Sequence, residues 1–125
     1  MKEAHIVPLT AGALGVLESQ RAAWGGRTGP DDLVFPGAQN AAPGRSMGSQ
    51  AMTDALNAMG FEGRQTPHGL RTCFATFARE AGKDDALIER CLAHADANQV
   101  RAAYNRAERM DARRELMEWW SLQLV

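Results

Sequence analysis

Apolar residues recur at helical spacing along most of this 125-residue chain and at strand spacing almost nowhere. Residues 4–9, "AHIVPL", are the exception and read as a short β segment, with Pro8 marking an edge or a strand end. Thr10 is placed to cap a helix running to about Trp24, with Leu14, Val16 and Leu17 turned inward. "GGRTGPDD" is a loop, "LVF" a short extended piece and "PGAQNAAPGR" a second loop. Ser46 is the expected cap of a helix to about Met59, whose apolar stripe is Met47, Ala51, Leu56 and Met59. After the turn "GFEGRQ", Thr66 caps and Pro67 opens a helix carrying Leu70, Phe74 and Phe77, spaced four and three apart as a core stripe. Gly82 stops it. Asp84 starts another helix, with Leu87, Ile88, Cys91 and Leu92 inward. The turn "AHADAN", a short helix over 98–104 and a last helix over 107–120 complete the chain. The pattern predicts a mainly α fold, a compact orthogonal bundle in a single domain over residues 1–125.

Composition narrows the class. The hydrophobic fraction of 45% suffices for a core. No apolar run is long enough to span a membrane, and "MKEAHIVPLT" lacks the apolar stretch of a signal peptide. Cys73 and Cys91 lie within apolar helical patterns and read as buried free thiols of a reducing compartment, with a bridge as the alternative. Neither CxxC nor HExxH occurs, so zinc is not expected. A formal net charge of −1 argues against nucleic acid as a partner, since phosphate contacts need lysine and arginine. Against that average, Arg64, Arg71, Arg101, Arg106, Arg109, Arg113 and Arg114 all fall in the second half.

The candidate chemistry starts at "TPHGLRTCFATFARE", residues 66–80. His68 and Arg71 are three apart on a helix and so share a face. Two such groups side by side suit an anion. A phosphodiester gains negative charge when attacked, and aimed cations and donors stabilise it. The planar fork of Arg71 can hold two of its oxygens, and His68 can donate a hydrogen bond or exchange a proton near neutral pH. His94 offers another donor, and Tyr104, the sole tyrosine, is a possible nucleophile if a cationic pocket or a base activates it. Taken singly, each has a plainer reading: a capping histidine, a solvated arginine, a C-terminal helix cap and a packing tyrosine. A metal-assisted hydrolase built on His68, His94 and Cys91 is a weaker alternative, because their spacing matches no common ligand set.

Taken in order, "HGLR", "LAH" and "AAYNR" resemble the carboxy-terminal catalytic domain of tyrosine recombinases, the phage-integrase family, most nearly the integrases of satellite phages and genomic islands. "MKEAHIVPLT" resembles that family's lysine-bearing β-hairpin, and "VFPG" at 34–37 and "EWW" at 118–120 extend the likeness. The resemblance implies that Tyr104 attacks a DNA phosphate to form a 3′-phosphotyrosyl link and release a 5′-hydroxyl. Arg71 would clamp the non-bridging oxygens. His68 would bond the phosphate or take the tyrosine proton, His94 would orient the phosphate, and Lys2 would protonate the leaving oxygen. No metal or nucleotide cofactor is implied, and a small β-hairpin at the N-terminus is. The implied partners are double-stranded DNA and other integrase protomers, with no membrane, in the cytoplasm of a bacterium or phage host.

The family's further catalytic arginine lies upstream of the lysine hairpin and has no counterpart among these residues. A fragment, inactive alone and binding DNA weakly, is therefore expected, with a non-catalytic DNA- or integrase-binding remnant as the alternative. The apolar tail, Trp119, Trp120, Leu122, Leu124 and Val125, is expected either to fold back on the core or to dock on a neighbouring protomer.

Overall fold

The computed structural model describes residues 5–25, 29–37, 46–93 and 109–124, and over these it is mainly helical, as the spacing predicts. The chain divides into two compact units, one of Met1–Thr10 with Leu70–Val125 and the other of Ala11–Gly69.

In the Ala11–Gly69 unit, α1 spans Ala11–Ala23, directly after Thr10. No residue of α1 is buried; Leu14 and Val16, expected inward, are exposed. Helix α2 spans Ala51–Leu56 and continues as a π turn, Asn57–Phe61. Its expected start at Ser46 is corrected: Ser46 forms an isolated antiparallel bridge with Pro36, and α2 begins after Gln50 without a side-chain cap. The capping preference of serine is a local one, and the backbone pairing with Pro36 overrides it here. Helix α3, Pro67–Glu80, starts in this unit and continues into the other.

The other unit holds the core. Phe74, Ala75 and Ala78 of α3, Ile88 of α4 (Asp85–Cys91), Leu92 just after it and Leu116 of α5 (Met110–Gln123) are buried together. The larger α3 residues expected beside Phe74 are not: Leu70 is 51% and Phe77 56% exposed. Ala78, fully buried, is small enough to let the neighbouring elements close on this face.

Local chemistry sets the ends of these helices. Gly82 adopts φ +69, and Lys83 N–H and Gly82 N–H donate back to the carbonyls of Ala78 (3.0 Å) and Arg79 (2.9 Å). That pair of bonds satisfies the last carbonyls of α3, and the left-handed turn it needs favours glycine. Asp84 then caps α4, accepting from Ala86 N–H at 2.8 Å and Leu87 N–H at 3.4 Å, and also pairs with Arg109.

Partial burial works to raise the Asp84 carboxyl, but the bond and charge of Arg109 and the two backbone amides outweigh it, leaving it below the ordinary carboxylate range. A depressed folded-state value stabilises above the unfolded pKa of about 3.9 and is lost as pH falls through the folded one. Asp84→Asn keeps a capping oxygen and removes this charge. Its melting temperature should therefore lie below that of the parent at pH 7, by an amount matching roughly 0.5 kcal/mol for a half-exposed pair. The gap should close below about pH 4. A gap that stays constant with pH would show that the charge contributes nothing.

Helix α5 starts and ends three residues later than the spacing predicts, because "WWSLQ" is part of it. Trp120 meets Phe74 edge-on at 5.5 Å and Phe77 at 6.1 Å, and Lys83 Nζ sits 4.7 Å over the Trp119 ring. The tryptophans of the tail thus fold back, whereas Leu122 and Leu124 stay exposed at 71% and 69%.

The expected β-hairpin is corrected as well: no strand occurs among the described residues. Pro8 has no N–H to give to a ladder. The Ile6 carbonyl is taken by a side chain, Arg113 of α5, at 2.6 Å.

Candidate active site

The "HGLR" stretch is built by its cap. Thr66 Oγ1 accepts from Gly69 N–H at 2.9 Å, and Gln65 Oε1 accepts from Thr66 N–H at 2.9 Å. Pro67 stands at the first helical position, where its missing N–H would have had no partner anyway. Gly69 lets the cap close, since a Cβ there would come within 2.1 Å of Gln65 Oε1 and 3.1 Å of Thr66 Oγ1. His68 is exposed in this first turn, three residues before Arg71 on the same helix.

Arg71 points its guanidinium to the far end of α4, where it donates to the Leu92 carbonyl. Leu92 is the last residue before the chain turns away through Ala93, which holds φ +57. An alanine in this left-handed region is held there against its preference. Ala93→Gly should raise stability by about 1 kcal/mol, readable as a higher urea midpoint. No gain would show that this conformation is not adopted in solution.

Three guanidiniums act on one imidazole. Partial burial pushes His5 below the usual histidine value, and the charges of Arg113, Arg90 and Arg71 push it further. Burial and the three guanidiniums thus all favour the neutral form of His5. The ion pairs among the described residues engage other arginines: Arg79 with Asp85 (2.6 Å) and Glu89, and Arg109 with Asp84. Asp84, Asp85 and Glu89 are thus the acids paired with Arg79 and Arg109.

Arg113 is 7% exposed and buried within the unit. Besides its bond to Ile6, its charge favours the ionised Cys91 thiol, partly offsetting the burial that pushes that thiol up. Among the described residues no group of three His, Cys, Asp or Glu side chains could hold a metal ion. Lys2, His94 and Tyr104 lie outside the described residues.

The phage integrase family matches residues 1–110. The chain belongs to that family. It is 40% identical to Prophage integrase IntA of Escherichia coli (strain K12) over 121 residues, 97% of this chain and 28% of that protein. It is 39% identical to Integrase of Enterobacteria phage P4, over 97% of this chain and 27% of the relative. It is also 32% identical to Tyrosine recombinase XerC of Rhizobium meliloti (strain 1021), over 73% of this chain and 29% of that protein. The chain thus spans less than a third of the length of these relatives. No solved structure is a significant match.

In this integrase-family chain, Arg71 joins the "HGLR" helix to the residue that begins the step into "LAH". Sequence spacing singled out Arg71 but missed His5, on which Arg71, Arg90 and Arg113 all act. For Arg113 a signal was available: Arg113, Leu116, Met117 and Trp120 are spaced three, four and seven apart, so the arginine occupies the inward face of α5.

Proposed function

We propose that residues 1–125 form one catalytic domain of a site-specific DNA recombinase, working in the cytoplasm on double-stranded DNA. Tyr104 attacks the scissile phosphorus, the bond to the 5′ oxygen breaks, and a 3′-phosphotyrosyl link stores the energy for rejoining. Arg71 holds the non-bridging oxygens, His68 bonds the phosphate or accepts the tyrosine proton, His94 orients the phosphate, and Lys2 protonates the departing oxygen. Neither metal nor nucleotide is consumed.

The observation that carries this reading is the Arg71–Leu92 bond, which ties the first motif to the chain entering the second. The arginines acting on His5 support an anionic ligand there. Membership of the integrase family supports the reaction type. No helix among the described residues is long and apolar enough to cross a membrane.

The test is covalent trapping on a nicked duplex whose cleaved end diffuses away. The chain is joined to the amino-terminal part of the 40%-identical prophage integrase. The adduct is expected on the peptide that carries Tyr104. An adduct on another residue would overturn the assignment, and DNA binding without any adduct would favour a non-catalytic DNA-holding role. By itself the 125-residue chain, which covers 28% of the prophage integrase and 27% of the phage P4 integrase, is expected to cleave negligibly. It is also expected to bind DNA weakly and with strong salt dependence.

The exposed Leu122 and Leu124 support docking of the tail on a second protomer. Light scattering should show self-association that rises with concentration and disappears in Leu122→Glu/Leu124→Glu. A strict monomer at high concentration would exclude it.

A further inference from the structure

We infer that Arg113 is a positioning residue: from α5 it grips the backbone at Ile6 and so fixes the chain four residues after Lys2. The inference rests on the recombinase reading above.

A buried guanidinium is an expensive way to fill an apolar face. Taking its charge out of water costs several kcal/mol, and well-packed apolar replacements of buried ions are often neutral or stabilising. Arg113 sits among Leu116, Met117 and Trp120, where an apolar side chain would pack. Its Nε is buried without a hydrogen-bond partner among the described residues. Core stability alone does not call for arginine here.

What the arginine does supply is reach. Its terminal nitrogen donates to the Ile6 carbonyl at 2.6 Å, joining positions 107 apart in the chain. The segment from His5 to Leu9 belongs to no helix or strand, so it lacks the ladder that would hold an extended segment. The same guanidinium acts on the thiol of Cys91, favouring its ionised form; Cys91 is the last residue of α4 and the neighbour of Leu92, whose carbonyl receives Arg71. One side chain on α5 therefore holds the chain that follows Lys2, beside the helix end that anchors Arg71. A general acid must stand within hydrogen-bond reach of the leaving oxygen, and small displacements of such groups cost orders of magnitude in rate.

Two measurements test this. The first needs no DNA: 15N relaxation of the 125-residue chain, comparing the parent with Arg113→Met and Arg113→Lys. In Arg113→Met the amide order parameters of residues 6, 7 and 9 should fall into the flexible range, below about 0.6, while those around Ile88 and Leu116 stay unchanged. Arg113→Lys, which can still reach a carbonyl, should recover part of the order. Unchanged order parameters in the 6–9 segment would overturn the inference.

The second uses the joined protein of the trapping assay, with a duplex carrying sulfur in place of the bridging 5′ oxygen. A thiol has a pKa of about 8.5, so a thiolate departs without a proton and no longer needs the acid. Arg113→Met should lose about 100-fold in cleavage rate on the oxygen duplex and less than about fivefold on the sulfur duplex. An equal loss on both would assign Arg113 a general structural role and overturn its link to the acid. A parent protein that forms no adduct on either duplex would count against the recombinase reading, and backbone relaxation would then decide the role of Arg113 alone.

Discussion

Arg71→Ala should lower strand cleavage by roughly 1000-fold, the size of effect seen when a single aimed donor is removed from a developing oxyanion. The guanidinium is anchored on Leu92, so its fork is held in place before any phosphate arrives. That preorganisation is what a flexible lysine lacks. Arg71→Lys keeps a charge but loses the planar, two-oxygen grip, and should recover only a small part of the rate. The substitution has a second expected consequence. The Leu92 carbonyl loses its partner at a buried position, at a cost of about 1 kcal/mol. For a chain of this size that lowers the melting temperature by a few degrees. Cleavage rate and melting curve measured on the same variants separate the two effects: Arg71→Lys should restore more stability than activity. Full activity in Arg71→Ala would remove Arg71 from the chemistry.

Ile88→Ala should destabilise the chain by about 3 kcal/mol, measured as a drop in urea midpoint at constant slope. Ile88 is wholly buried between α3 and α5, and its unit has only a handful of buried apolar residues to share the load. Small domains hold only about 5–15 kcal/mol in total, so this single truncation removes a large fraction. Leu122→Ala, at an exposed position of α5, should change stability by less than about 0.5 kcal/mol and serves as the control. A loss below 1 kcal/mol for Ile88→Ala would mean that the site collapses around the smaller side chain.

What the sequence made legible was mostly local. Thr66 and Asp84 do cap the helices that follow them, and Gly82 does end α3, because each acts through bonds to residues within four positions. Ile88 and Leu92 were readable as core, since α4 is short and one-sided. Ser46 was misleading because a backbone bridge to Pro36, invisible to capping rules, fixes it elsewhere. On α3, ranking by side-chain size favoured Leu70 and Phe77, yet the buried face is Phe74, Ala75 and Ala78. Close packing selected the small residues, and the large ones were left at the edge of the contact.

The site divides along the same line. "HGLR" announced Arg71 by spacing, but its bond to Leu92 spans 21 positions and no periodicity encodes it. Likewise the Arg113 bond to Ile6 spans 107 positions and no periodicity encodes it. The roles of Lys2, His94 and Tyr104 stand on the resemblance and on family membership.

The placement of the three indoles has a practical consequence. Trp119 and Trp120 pack against the core of one unit, while Trp24 follows α1 in the other. Replacing Trp24 with phenylalanine would leave tryptophan emission coming solely from the α5 pair. Spectral changes during urea titration or on adding oligonucleotide would then report one half of the molecule without any attached dye.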